Sequence, residues 1–363
     1  MDLAQFLVKH GADVTARDKT GSTPLHKLIG WRSEYVDFAR FLVKHGADAT
    51  AQDKDGSTPL HEVSQSYWEN VDLAQFLVEH GADATAQDKD GSIPLHWASF
   101  RGNGDLAQFL VEHGVDATAQ DKDGLTPLHW ASFNSQVDLT QFLFQHGADV
   151  TANDKHGSTP LHWASFAGHV DLAQFLVDRG ADVTAHDMAG LTPLHRASFN
   201  GHVDLAQFLI EHGADVTAQD KHGSTPLHWA LLDGNLYLTQ LLFEHGADAT
   251  AQEKHGLTPL HIIASFDGRV DLARLLVEHG ADVETPDNDG LTPLHGASQY
   301  GHVYLTRFLI EHGTNVKAKD KDGSTPLYMA SLNGHVDLAQ LLMEHGADRT
   351  AEATPQIQQP IKR

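Results

Sequence analysis

The sequence predicts an all-α solenoid in which helix pairs of about 33 residues stack in tandem. The motif Thr-Pro-Leu-His marks the repeat, and its prolines follow one another at intervals of 33 to 35 residues. Intact copies begin at Thr23, Thr58, Thr126, Thr159, Thr192, Thr225, Thr258 and Thr292, and variant copies occupy 93–96 and 325–328. A fixed period of this length is typical of a repeat array.

The motif also predicts the start of a helix, as the fifth repeat illustrates. Thr159 is a good N-cap, and Pro160 suits the first helical position, where a backbone N–H has no partner to lose. Leu161 and Ala164 then fall on one face of the helix. Gly168 predicts the end of this helix, because glycine adopts a positive φ at little cost.

A second helix is predicted to follow in the same repeat. Leu172, Phe175 and Leu176 form its apolar stripe, and Gly180 ends it. The stretch 181–190 is rich in turn residues and connects to the next repeat. Helices of about ten residues are marginal in isolation, so stacking against neighbouring copies must stabilise each pair.

Taken together, these residues resemble the ankyrin repeat. The resemblance rests on Gly-x-Thr-Pro-Leu-His-x-Ala, a following Gly-His and a closing Gly-Ala-Asp-Val, and it covers roughly residues 2 to 350. It implies helix pairs joined by protruding hairpins and a function in protein binding. One position departs from the family pattern, because threonine, as at Thr151, stands where the family usually has asparagine.

The repeats divide the chain into three predicted segments. Residues 1–17 resemble a partial repeat with its second helix only, residues 18–350 hold ten repeats, and residues 351–363 read as a flexible tail. The ten repeats begin near residues 18, 53, 88, 121, 154, 187, 220, 253, 287 and 320. The partial repeat has two interpretations: a chain that is part of something longer, or a true start with a frayed helix.

Composition excludes several classes of function. The net charge of −24 repels phosphate backbones, so we expect no nucleic-acid partner. No apolar run approaches the ~20 residues that a membrane span needs, and no leader resembles a signal peptide. The absence of cysteine fits a reducing compartment, so we expect an intracellular and most simply cytoplasmic protein.

The 27 histidines suggest metal or catalytic chemistry, but each one occupies a position, here called a slot, that belongs to the repeat pattern. Equivalent histidines of successive repeats should lie roughly 8–10 Å apart, whereas two zinc ligands lie within about 4 Å. We therefore expect no metal site, no cofactor and no catalytic residues. If all 27 histidines become charged near their ordinary pKa of about 6.5, the net charge rises toward zero and solubility falls on acidification.

One slot of the first helix is the strongest candidate for partner binding. It lies seven residues after the motif threonine, and in the family it lies on the concave helical face where partners bind. The slot holds Phe100, Phe133, Phe166, Phe199 and Leu232, with Phe266 shifted by one inserted residue. The alternative is that these rings pack between repeats and stabilise the stack.

Two further repeat positions are weaker candidates for partner binding. The slot after the motif histidine holds Trp97, Trp130, Trp163 and Trp229, which the resemblance assigns to the core between repeats. Hairpin tips often contact partners in the family, and here they carry Lys122, Lys155, His156, Lys221 and His222. Recent duplication is the alternative explanation for the near-identity of these tips.

The sequence therefore favours a monomeric, non-enzymatic scaffold that binds a protein partner on its concave helical face and hairpin tips. The alternative is the recognition arm of a larger signalling protein or ubiquitin-ligase adaptor, of which this chain is a fragment.

Overall fold

The computed structural model describes residues 2–29, 36–66 and 70–348. Within these ranges every regular element is a helix and no residue forms a strand, as an all-α repeat fold requires. The segment 351–363, which the sequence predicts to be a flexible tail, lies outside the described residues.

The helices belong to two compact units, and the division of the chain falls between Met188 and Ala189. The first unit contains α1 (Asp2–Lys9), α2 (Pro24–Ile29), α3 (Val36–Lys44), α4 (Pro59–Gln65), α5 (Val71–Glu79), α6 (Pro94–Arg101), α7 (Gly104–Glu112), α8 (Pro127–Phe133), α9 (Val137–Gln145), α10 (Pro160–Ala167) and α11 (Val170–Asp178). The second contains α12 (Pro193–Phe199), α13 (Val203–Glu211), α14 (Pro226–Asp233), α15 (Leu236–Glu244), α16 (Pro259–Phe266), α17 (Val270–Glu278), α18 (Pro293–Tyr300), α19 (Val303–Glu311), α20 (Pro326–Leu332) and α21 (Val336–Glu344).

Each unit is a stack of helix pairs in which like helices pack together. In the first unit α2, α4, α6, α8 and α10 form one row of neighbours, and α3, α5, α7, α9 and α11 form a second. The second unit repeats this arrangement: one row consists of α12, α14, α16, α18 and α20, and the other consists of α13, α15, α17, α19 and α21. The core of each unit lies between its two rows and between successive pairs.

The Thr-Pro-Leu-His motif starts the first helix as predicted. Thr159 is the N-cap in an extended conformation, and Pro160 is the first helical residue. The N–H of Thr159 donates to Nδ1 of His162 at 3.1 Å, while the Thr159 hydroxyl lies 2.9 Å from the same nitrogen. The motif histidine therefore satisfies polar groups at the helix start that would otherwise lack partners.

Glycine ends both helices of the fifth repeat, also as predicted. Gly168 follows α10 with a φ of 84°, and Gly180 follows α11 with a φ of 97°. In most second helices a histidine C-cap residue lies between the last helical residue and such a glycine, and its side chain adds a second cap. Nδ1 of His80, for example, donates to the Phe76 carbonyl oxygen at 2.8 Å.

The buried stripe of the second helix differs in one position from the prediction. Leu172 and Leu176 are fully buried, but Phe175 is only half-buried, and the third buried position belongs to Ala173. The small alanine allows close approach between helices, whereas the large ring is displaced toward the edge of the interface.

The threonine that departs from the ankyrin pattern has a local role. Both the N–H and the hydroxyl of Thr151 donate to Oδ1 of Asp149, at 2.8 and 2.7 Å. This Asx turn fixes the chain as it leaves the second helix and enters the hairpin.

Hairpins of successive repeats are joined through their backbones. The N–H of Lys122 donates to the Asp90 carbonyl oxygen at 2.8 Å, and Lys155 does the same to Asp123 at 2.7 Å. An acidic residue closes the base of a hairpin. In the third repeat Oδ1 of Asp88 accepts from the N–H groups of Asp90 and Ser92, both at 2.9 Å, and in the eighth repeat Glu253 takes this role. The hairpins are consequently held in a fixed position beside the first helices.

Candidate functional site

Six aromatic rings on three successive first helices form a continuous surface, which we call the aromatic stripe. It consists of Trp97 and Phe100 on α6, Trp130 and Phe133 on α8, and Trp163 and Phe166 on α10. The stripe is held together across repeats, because ring centroids of Phe100 and Trp130 lie 5.2 Å apart and those of Trp130 and Trp163 lie 5.9 Å apart. Phe133 contacts both Trp163 and Phe166, at 5.7 and 6.3 Å.

The side chains of the predicted phenylalanine slot differ in exposure from one repeat to another. Phe100 and Phe133 are half-buried against the neighbouring tryptophans, whereas the Phe166 side chain is 38% exposed. In the second unit Phe199 is 42% exposed, Leu232 41% and Phe266 69%. The slot therefore presents apolar surface to solvent while some of its members also pack between repeats, and partner binding by this slot stays a prediction.

The assignment of the tryptophans to the core was wrong in one respect. Each of the four motif tryptophans contacts a ring of the phenylalanine slot in its own or the preceding repeat, but each is only half-buried. Three of them reach a hairpin aspartate: the indole N–H of Trp97 donates to Asp88 and that of Trp163 to Asp154, both at 3.2 Å, and that of Trp229 donates to Asp220. A polar N–H needs such a partner or water, which is why these rings lie at the margin of the core.

A pocket of about 380 Å³ opens between the aromatic stripe and the hairpins of the third and fourth repeats. Its walls include Trp97, Phe100, Trp130 and Trp163. Three carboxylates join the lining from the hairpin side: Asp90, Asp121 and Asp123. The pocket thus combines apolar ring surface with negative charge.

Asp121 differs from its equivalents in the neighbouring repeats. Oδ1 of Asp121 accepts from the N–H groups of Asp123 and Leu125, at 2.8 and 2.9 Å, and so closes its hairpin. Within the described part of the chain, however, no indole donates to its second oxygen, although the spacing to Trp130 equals that between Asp88 and Trp97. Burial raises the pKa of the Asp121 carboxyl.

Sequence reasoning missed the carboxylates of this pocket because it treated hairpin aspartates as solvated surface. A signal was available, since a hairpin aspartate precedes each motif tryptophan by nine residues, as Asp88 precedes Trp97. That spacing brings the acid and the indole into hydrogen-bond contact in the third, fifth and seventh repeats, but not in the fourth.

The predicted hairpin residues are exposed at the tips. Lys122, Lys155, His156, Lys221 and His222 all present their side chains to solvent. Two of the lysines also bridge adjacent hairpins: the Lys155 ammonium group pairs with the Asp123 carboxylate, and that of Lys122 donates to the Lys89 carbonyl oxygen. These contacts leave part of each ammonium group available to a partner.

The motif histidines serve the fold and are held neutral. Burial lowers the pKa of several of them, including His61, His96 and His228, and it lowers the pKa of His129 to about 4. The expectation that all 27 histidines become charged on mild acidification is therefore wrong for this slot. Among the residues described, no three His, Asp or Glu side chains are grouped so that they could hold a metal ion.

Comparison with known families agrees with the repeat pattern. A family model described as ankyrin repeats, in three copies, matches residues 1–88, 66–154, 95–187, 149–220, 184–253, 216–287 and 282–353. No curated protein matches the sequence significantly. In the part of the chain that the structure describes, no helix has both the length and the apolar character needed to cross a membrane.

Proposed function

Because the chain belongs to the ankyrin-repeat family, whose members generally act as protein-interaction modules, we propose that it is a non-enzymatic scaffold that binds a protein partner through its aromatic stripe. The equivalent first-helix positions of the second unit, Phe199, Leu232 and Phe266, extend the proposed contact residues. The exposed hairpin tips around Lys155 and Lys221 would contribute polar contacts at the edge.

The observation that carries this proposal is the solvent exposure of large apolar side chains at one repeated position. Phe166, Phe199 and Phe266 are 38%, 42% and 69% exposed. A single exposed apolar residue needs no explanation, but a repeated row of them is typical of an interaction surface. Aromatic residues are also enriched among the side chains that dominate binding energy.

Charge indicates the kind of partner. The chain has a net charge of −24, and aspartates flank the aromatic stripe on the hairpin side. A partner with an apolar ridge bordered by Lys or Arg would be attracted over a distance and would also fit the stripe. Because the sequence lacks cysteine, the proposed location is the cytoplasm.

The proposal is tested with two double variants of the full chain. Phe166→Ser with Phe199→Ser removes exposed rings from the first-helix face. Tyr237→Ser with Tyr304→Ser is the matched control, because these two aromatic side chains are exposed on second helices instead. Proteins captured by each form are compared by quantitative mass spectrometry, and folding is checked by thermal melting.

We expect the phenylalanine variant to lose partners that the wild type and the tyrosine variant retain, with little change in the melting midpoint. Equal capture by all three forms would contradict the assignment of the surface. A collapse of the melting midpoint in the phenylalanine variant would show instead that the rings serve the core.

A further inference from the structure

We propose that the pocket beneath the aromatic stripe binds the guanidinium group of an arginine side chain on the partner. The recognition elements are the rings of Trp97, Phe100 and Trp130 together with the carboxylates of Asp90 and Asp121. This inference rests on the proposed function and names the chemistry of its anchoring contact.

The pocket offers a cation two kinds of attraction at once. The faces of aromatic rings carry partial negative charge, and tryptophan gives the strongest cation–π contact. The rings of Phe100 and Trp130 are nearly perpendicular with centroids 5.2 Å apart, so a group inserted beside them meets one face and one edge. Carboxylates on the opposite side supply full negative charges.

One of the three pocket carboxylates has an ion-pair partner within the described part of the protein, and two have none. Asp123 pairs with Lys155, but neither Asp90 nor Asp121 forms an ion pair with another described residue. Asp121 uses Oδ1 to close its hairpin. Its second oxygen receives no hydrogen bond from an indole of the described residues, whereas Asp88 and Asp154 each accept one. A cationic donor from outside would supply what this oxygen lacks.

Arginine fits these features better than lysine does. Its guanidinium is planar, stacks on aromatic faces and donates to two acceptors at once, whereas an ammonium is compact and strongly hydrated. The stripe already carries one such contact, because the guanidinium carbon of Arg101 lies 5.3 Å from the centroid of the Phe100 ring. A volume of about 380 Å³ lies within the ordinary range for ligand pockets.

The test uses the ¹⁵N-labelled full chain and the blocked pentapeptide acetyl-Gly-Gly-Arg-Gly-Gly-amide as the probe. The matched probe replaces arginine with citrulline, which keeps the shape and removes the charge. Titration is followed through the indole N–H signals in nuclear magnetic resonance. Trp229 is the internal control, since it donates to Asp220 as Trp97 donates to Asp88 but lies in the other unit.

We expect saturable shifts of the Trp97 and Trp130 signals and about tenfold weaker binding of the citrulline peptide. Trp130→Leu should weaken binding of the arginine peptide about fivefold, and Trp130→Phe should restore most of it. Asp90→Asn should weaken it about threefold, whereas Asp55→Asn, which removes the same charge from the hairpin of the second repeat, should not.

Equal binding of the arginine and citrulline peptides would overturn the inference, as would an equal response at Trp229. Tighter binding of a trimethyl-lysine peptide would overturn the choice of guanidinium and make the pocket a site for alkylated ammonium. Any of these results leaves the proposed function intact if the Phe166 and Phe199 variant still loses its partners, so the two failures are distinguishable.

Discussion

The imidazole of His129 joins two successive repeats by donating from Nε2 to the carbonyl oxygen of Ser158 at 3.2 Å. Its other nitrogen, Nδ1, accepts from the N–H of Thr126 at 3.1 Å, and these two partners together define a neutral ring. The same pair of contacts recurs at other motif histidines, for example His61 with Thr58 and Ser92. A helix cap and a link between repeats therefore depend on one uncharged side chain.

Acid should destabilise the protein before most carboxylates are protonated. Burial lowers the pKa of His129 to about 4, so between the ordinary value near 6.5 and that value the unfolded chain binds a proton that the folded chain does not. The free energy of unfolding must then fall as pH decreases through this window, by about 3 kcal/mol for His129 alone. Burial also lowers the pKa values of His61, His96 and His261, which therefore contribute to the loss in the same direction.

Urea unfolding at a series of pH values measures this effect directly. The midpoint should decline steadily from about pH 6.5 to about pH 4.5. A midpoint that stays constant over this range would refute the neutral-histidine interpretation, because the proton uptake of the two states would then be equal.

The local structure was predictable because its determinants lie close together in sequence. The cap at Thr159, the first helical position of Pro160 and the positive φ of Gly168 each depend on conformational preferences of a few adjacent residues. The period of the motif then predicts stacking without further information, since every repeat has the same apolar faces to cover.

The candidate site was only partly predictable because it depends on contacts between repeats. The phenylalanine slot was identified, but the difference between half-buried Phe133 and exposed Phe166 arises from ring orientation against neighbouring helices. The same cause explains why Ala173 is buried in the second helix of the fifth repeat where Phe175 was expected to be. Periodicity defines which side of a helix a residue occupies, but it does not define how far a large side chain can enter the interface.

Substitutions of leucine should show where the packing energy lies. Leu161 is fully buried, so Leu161→Ala leaves a cavity and should cost about 2–5 kcal/mol. Leu7 on α1 is 50% exposed, and Leu7→Ala should cost much less because little packing is lost. Comparable shifts of the urea midpoint for the two variants would be inconsistent with this distribution of the core.

Replacing a buried serine whose hydroxyl forms no hydrogen bond with alanine should stabilise the fold. The hydroxyl of Ser132 on α8 is buried and has no hydrogen-bond partner among the described residues, whereas that of Ser64 on α4 donates to the Leu60 carbonyl oxygen at 2.9 Å. Ser132→Ala removes an unsatisfied polar group and should raise the free energy of unfolding by about 1 kcal/mol. Ser64→Ala is the matched control. Its change in the free energy of unfolding should be at least about 1 kcal/mol less favourable than that of Ser132→Ala, because it removes a hydroxyl that forms a hydrogen bond.

Ser135 offers the clearest stabilising change, because its backbone adopts a conformation that its side chain opposes. Its φ is 58°, the one positive value at a non-glycine residue in the described ranges. The same slot holds Gly168 and Gly201 in the next two repeats, with φ values of 84° and 67°. A side chain in this region meets the adjoining carbonyl oxygen, whereas glycine adopts it freely.

Ser135→Gly should therefore raise the free energy of unfolding by about 0.5–1 kcal/mol, the released strain being partly offset by the greater freedom of glycine in the unfolded chain. Asn134→Gly is the matched control, because this adjacent residue has a φ of −105° and gains nothing from glycine. We expect the urea midpoint to rise for the first variant and to fall for the second. If both midpoints fall, the loop after α8 does not hold Ser135 in the left-handed conformation in solution, since only that conformation makes glycine favourable there.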